Sequence, residues 1–176
     1  MGCRFPRLAV VAVLISCLCA GAARAADVQA GFDFPSSTLT LAVDDPNNSG
    51  ARFVVAGFPL LGAAVIGFGN TTVNGGSFEF FLAPLDTLTG NLNIDCTLTN
   101  QNDAATFVFI LGNHLNFQLG GGNDTFALVF GDAAELMIDG GDGDDSALIL
   151  ATADSQNITA VEDLFPFFRT SRAVNR

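Results

Sequence analysis

Three aspartates, Asp103, Asp124 and Asp145, stand 21 residues apart. The second and third each close a glycine turn, Gly120-Gly121-Gly122-Asn123-Asp124 and Gly140-Gly141-Asp142-Gly143-Asp144-Asp145. Glycine lets a turn take positive φ and aim its carbonyls to one side, and the aspartate adds a negative charge. Carbonyl and carboxylate oxygens are hard donors, the set calcium takes in shells of about six to eight. One such turn is half a site, so two must stack. The candidate ligands are Gly120, Gly122 and Asp124 on one turn, with Gly141, Asp142, Gly143 and Asp145 on the other. A poorer pairing points toward Asp103, whose own turn, Thr99-Asn100-Gln101-Asn102, has no glycine.

Something must bring these turns into register, and the surrounding sequence says what. Residues 94–114, 115–135 and 136–156 lie over one another without a gap. Ile94, Leu115 and Leu136 coincide, as do Cys96, Phe117 and Ile138, and Phe107, Leu128 and Ile149. A fixed period of this length marks stacked units that cannot bury an apolar face alone. Each copy reads as a short strand (Leu115–Leu119, Leu136–Asp139), the glycine turn, a longer strand (Thr125–Phe130, Ser146–Leu150) and a polar turn back. In the first strand Leu115, Phe117 and Leu119 alternate with Asn116 and Gln118, so one face is buried and one wet. The second strand is apolar on both faces, and the N-terminal segment is its natural cover. No apolar pattern of period 3.6 persists, which disfavours helix. The expected fold is all-β: a parallel β-solenoid, β-roll or β-helix-like, with 21-residue coils over 92–160. A less regular β segment, 26–91, precedes it, and a cap and basic tail, 161–176, follow it. Within 26–91, Thr38–Val43 reads as a strand and Arg52–Ala56 as its return, while Val73–Phe81 reads as a shortened coil.

The glycine turns resemble the haemolysin-type (RTX) calcium-binding nonapeptide G-G-x-G-x-D-x-U-x, in which U is a large apolar residue. The match runs Gly140 to Leu148 in one copy. In the other it runs Leu119 to Ala127, with Leu119 at the first glycine. The resemblance implies a secreted or surface β-solenoid that holds calcium between turns. The chain departs from that pattern: its coil is 21 residues rather than 18, only one end of each coil carries the motif, and Ala147 stands at the apolar anchor. An isolated extracellular site of this kind implies an affinity on the order of 10⁻⁴–10⁻³ M.

The first 25 residues read as a removable leader. Arg4 and Arg7 precede the apolar run Leu8–Cys19, and Ala23-Arg24-Ala25 is a cleavage site. This implies a secreted chain in the periplasm, at the cell surface or outside it. A lipoprotein anchored through Cys17 is the minor alternative. All 18 acidic residues but only four arginines follow the leader, a net charge of −14, and lysine is absent. Such a field excludes a nucleic-acid partner and favours divalent cations. No later stretch is apolar and long enough to span a membrane. Cys96 is the lone cysteine after the leader and reads as a core thiol. His114, the only histidine, reads as a solvated turn residue in phase with Glu135 and Gln156. With no serine in a nucleophile context, no lysine and no tyrosine, the residues point to a non-enzymatic protein. Its role is structural or adhesive at a surface, with calcium as cofactor. A metal-free interaction module with a protein or cell-surface partner is the alternative, and a polysaccharide-acting β-helix enzyme the third.

Overall fold

The computed structural model describes residues 26–45, 49–58, 62–81 and 92–166. The leader, Cys17 and the basic tail from residue 167 lie outside the described residues. Among these residues twelve strands form in chain order: β1 Asp27–Asp33, β2 Thr38–Asp44, β3 Arg52–Phe58, β4 Gly62–Gly67, β5 Thr72–Val73, β6 Phe78–Phe81, β7 Leu92–Thr97, β8 Ala104–Val108, β9 Leu111–Gln118, β10 Thr125–Asp139, β11 Ser146–Thr159 and β12 Asp163–Pro166. They build an all-β solenoid of stacked parallel coils, as the 21-residue period requires.

Two walls face each other. The first stacks β2, β7, β9 and the second halves of β10 and β11, all parallel. The second stacks β3, β8, the first halves of β10 and β11, and β12, again parallel. Parallel pairing sets identical positions one rung, about 4.8 Å, apart, so the repeat becomes ladders of like side chains. Cys96 pairs with Phe117 and Phe117 with Ile138 on the first wall, while Phe107 pairs with Leu128 and Leu128 with Ile149 on the second. All are buried. The walls meet through phenylalanines: the Phe117 ring lies 4.6 Å from both Phe107 and Phe126. Burial raises the Cys96 thiol pKa well above its ordinary value, so the group stays a neutral core filler.

Several expectations change. The polar turn back over Gly131–Glu135 does not form a loop; those residues continue β10. The chain rounds this corner at one residue per coil. Phe109 (φ 57°) and Phe130 (φ 56°) take the left-handed conformation and stack their rings 5.4 Å apart. Ala151 does not, so the third coil is one residue shorter there. Asp132 pairs with Thr152, and Glu135 with Ser155 rather than Gln156. His114 therefore lies on a strand, exposed, its Nδ1 2.7 Å from Glu135 Oε2.

The N-terminal segment also differs. Arg52–Phe58 does not return along β2 but crosses to the second wall, beside β8. Residues 73–81 are not a decayed coil: β6 runs antiparallel to β4, which runs antiparallel to β3. The described strands of the segment thus extend both walls edge-on and end them with antiparallel strands. On the outer face of the second wall, Phe68 packs against the cluster of Val54, Val108 and Ala104.

Candidate functional site

The three aspartates sit where each coil turns from the first wall into the second, just ahead of β8, β10 and β11. Their side chains point inward: Asp103 is 2% exposed, Asp124 1% and Asp145 0%. Each reaches one coil back along the stack. Asp103 Oδ1 accepts the Ala51 N–H at 2.5 Å, Asp124 Oδ1 the Asp103 N–H at 2.7 Å, and Asp145 Oδ1 the Asp124 N–H at 2.8 Å. Glu162 Oε2 ends the series by accepting the Asp145 N–H at 2.8 Å. A turn cannot pair all its backbone donors with the neighbouring turn, and a buried N–H needs an acceptor. The carboxylates supply it, which is why an acidic group recurs inside a core. A second ladder runs outside: Asn102 Oδ1 accepts the Asn123 N–H at 2.8 Å, and Asn123 Oδ1 the Asp144 N–H at 3.1 Å.

The second carboxylate oxygens divide the three positions. Asp103 Oδ2 accepts both the Thr99 N–H (2.7 Å) and the Thr99 hydroxyl (2.8 Å). At the phase of Thr99 the later coils carry Gly120 and Gly141, which have no hydroxyl. Asp124 Oδ2 and Asp145 Oδ2 are buried with no hydrogen-bond partner. An unsatisfied buried acceptor costs about 1–3 kcal/mol, more when charged. The carboxyl pKa values follow. Burial, then repulsion from Asp103 and Asp145, pushes Asp124 up to about 7 against the opposing Asp103 N–H bond. Burial raises Asp145 as well, with Glu162 and Asp144 adding repulsion, and Asp103 is raised by burial although three bonds oppose it.

The glycines behave as their spacing demands. Gly120, Gly122, Gly141 and Gly143 all have φ between 88° and 136°. The turns stack backbone on backbone: a Cβ on Gly141 would lie 1.8 Å from the Gly120 carbonyl oxygen, and one on Gly143 1.7 Å from that of Gly122. Asp142 differs from the other candidates. It is exposed on the rim, and its N–H donates to Gly120 O at 3.0 Å, so it sits apart from the interior carboxylates.

The residues present therefore fit a cation in part. Two buried oxygens with no proton donor, Asp124 Oδ2 and Asp145 Oδ2, stand on consecutive rungs beside carbonyl-rich turns. Their Oδ1 atoms are already engaged, so backbone carbonyls and water must complete a calcium shell. Among the described residues no three His, Cys, Asp or Glu side chains gather as a metal cluster. A turn site of this kind instead draws most of its oxygens from the backbone.

Sequence reasoning missed Thr99 and Glu162. The signal for Thr99 was its phase with Gly120 and Gly141. Glu162 carried none, because it lies 17 residues after Asp145, where the period breaks. No protein-family model matches this chain, and neither curated proteins nor solved structures give a match.

Proposed function

We propose that this chain is an exported, non-enzymatic β-solenoid with a structural or adhesive role at a surface, its coils stiffened by calcium between turns 120–124 and 141–145. One observation carries the reading: the partnerless buried oxygens of Asp124 and Asp145, at the two coils where glycine replaces the threonine that satisfies Asp103. Calcium there supplies positive charge to two carboxylates whose pKa values are raised by burial. Asp124 and Asp145 hold it, the turns of Gly120, Gly122, Gly141 and Gly143 lend carbonyls, and Asp142 on the rim adds to the negative field. An RTX-like kinship of these turns accords with export and with a low-affinity site. The test is thermal unfolding in EDTA, in millimolar calcium and in magnesium. A calcium-specific rise in midpoint, lost in Asp124→Ala/Asp145→Ala, supports the site; identical melts in all three media reject it.

A second reading rests on a different surface. The outer face of the second wall carries Val54 on β3, Thr106 and Val108 on β8, and Ala127 and Val129 on β10, which are already buried, and the half-buried Ala56 on β3 and Leu148 and Leu150 on β11. Arg52, at the start of β3, is the one charge on this face between these strands, whereas the first wall's outer face bears Asp95, Glu135 and Asp139. Phe58, Phe78, Phe80 and Phe165 are exposed around this apolar sheet, at 42%, 64%, 41% and 59%. Exposed aromatics grouped in this way mark a contact surface, as in a metal-free interaction module. That reading requires indifference to chelator together with concentration-dependent association that charged substitutions at Phe78 and Phe80 abolish.

A further inference from the structure

A stack of parallel strands leaves unpaired N–H and C=O groups at both ends. At the end nearer the N-terminus, the first wall finishes on β1, antiparallel to β2. One short segment, Thr72–Gly76, closes the free edge of β1. β5 pairs only with Asp27 and Val28. The Thr72 N–H donates to Ala26 O at 2.9 Å and the Asn74 N–H to Val28 O at 3.0 Å. Past that point a side chain takes the place of a strand. Asn74 Oδ1 accepts the Ala30 N–H at 2.9 Å, and Asn74 Nδ2 donates to Ala30 O at 2.9 Å. One amide group thus makes both bonds that a neighbouring strand would make with Ala30.

Asn74 is held for this task. Its φ is 49°, a left-handed value that asparagine tolerates. The turn closes on itself through Val73 N–H to Gly76 O (2.7 Å) and Gly76 N–H to Val73 O (2.8 Å). Asp27 Oδ1 anchors it by accepting the Thr72 hydroxyl (2.7 Å) and the Gly75 N–H (3.0 Å).

The opposite end of the same wall has no such device among the described residues. β11 runs to Thr159, yet β12 pairs only with Ser146–Ile149. The outer edge of Thr152–Thr159 pairs with no described strand, and Asp154 is its only charged residue. β1, at 7 residues, matches it closely in length. Joining β1 of one copy to this edge of the next would extend the wall head to tail, an open contact that does not close into a dimer. Two β1 strands meeting would oppose Asp27 and Asp33 of both copies, so the charge-poor β11 edge is the favoured partner.

We propose that Thr72–Gly76 is a stopper that keeps β1 from adding to the Thr152–Thr159 edge of a second copy of this chain, with Asn74 as its key residue. The test is sedimentation velocity over a wide concentration range, with folding followed by circular dichroism. Asn74→Gly removes both bonds to Ala30 while keeping the left-handed backbone unstrained. Its sedimentation coefficient rises with concentration above that of the wild type. Adding Ala30→Pro removes the freed N–H and returns the coefficient to the wild-type value. Wild-type sedimentation by folded Asn74→Gly overturns the proposal, and so does equal association by the double variant. If Asn74→Gly does not fold, Asn74→Asp carries the comparison: it keeps the acceptor, loses the donor to Ala30 O, and associates to a smaller degree that Ala30→Pro again abolishes. A folded Asn74→Asp that sediments as wild type overturns the proposal equally.

Discussion

In the presence of a chelator, acidifying this protein from about pH 7 to the ordinary carboxyl value of 3.8 should stabilise it, because Asp124 titrates across that interval. The folded-state pKa is raised, so between these limits the folded chain binds more protons than the unfolded chain. Stability then falls as pH rises. The contribution is fully present below 3.8 and is gone above about 7. At about 1.36 kcal/mol per pH unit, the interval is worth about 4 kcal/mol as an upper bound. Water reaching Oδ2 through the glycine turns reduces it. For a chain of this size each kcal/mol moves the midpoint by about 2–4 °C, so Tm in EDTA should drop by up to about 16 °C between the two limits. Asp124→Asn keeps an Oδ1 acceptor for the Asp103 N–H but cannot ionise, so it should remove much of this slope. Raised Asp145 and Asp103 pKa values contribute the remainder with the same sign. Saturating calcium should restore the midpoint at neutral pH, since a cation at Asp124 Oδ2 replaces the proton. The assay is a series of thermal melts by circular dichroism across that pH range, for wild type and Asp124→Asn, with EDTA or calcium. A wild-type midpoint in EDTA that stays level or rises from acid to neutral pH would refute the reasoning, as would an undiminished slope in Asp124→Asn.

Three further outcomes follow from the same geometry. Thr99→Val deletes the hydroxyl bonded to Asp103 Oδ2 and should cost about 1–2 kcal/mol in urea unfolding at neutral pH; the loss should shrink once Asp103 is protonated in acid. Gly143→Ala places a Cβ against the Gly122 carbonyl oxygen at a φ of 136°. It should cost at least about 2 kcal/mol from backbone strain and clash together, measured the same way, whereas alanine at the open turn position Gly76 should cost far less. Phe117→Ala removes the ring that bridges the two walls and should cost about 3–5 kcal/mol, with an unchanged urea m-value if the transition stays cooperative.

The candidate site was half legible. Glycine at Gly120, Gly122, Gly141 and Gly143 announced positive φ, and all four have it. The spacing of Asp103, Asp124 and Asp145 announced one column. What the pattern could not give was the use of each oxygen. An aspartate at a turn reads equally as an outward ligand or as an inward acceptor, and the difference depends on which neighbouring N–H lacks a partner. That is a property of two coils already stacked. Thr99 in particular has meaning only once its hydroxyl is seen to occupy the oxygen that Gly120 and Gly141 leave without a donor.

Coil stacking itself was written in the sequence, because a period of 21 with apolar residues in phase has one economical burial: identical strands in parallel register. The inward alternation of Leu115 and Phe117, and the core place of Cys96, followed from the two-residue period of a strand. Tertiary structure alone decided the corners and the ends. Gly131–Glu135 looked like a polar turn, yet the chain bends at Phe130 and continues as strand, since a single left-handed residue rounds the corner and lets the following N–H groups stay in the ladder. Residues 73–81 looked like a faded coil, yet they close an edge, because the outermost strand has no repeat beyond it to satisfy its backbone. Periodicity fixes what each coil does to its neighbours; only the assembled stack determines what must be done where a neighbour is missing.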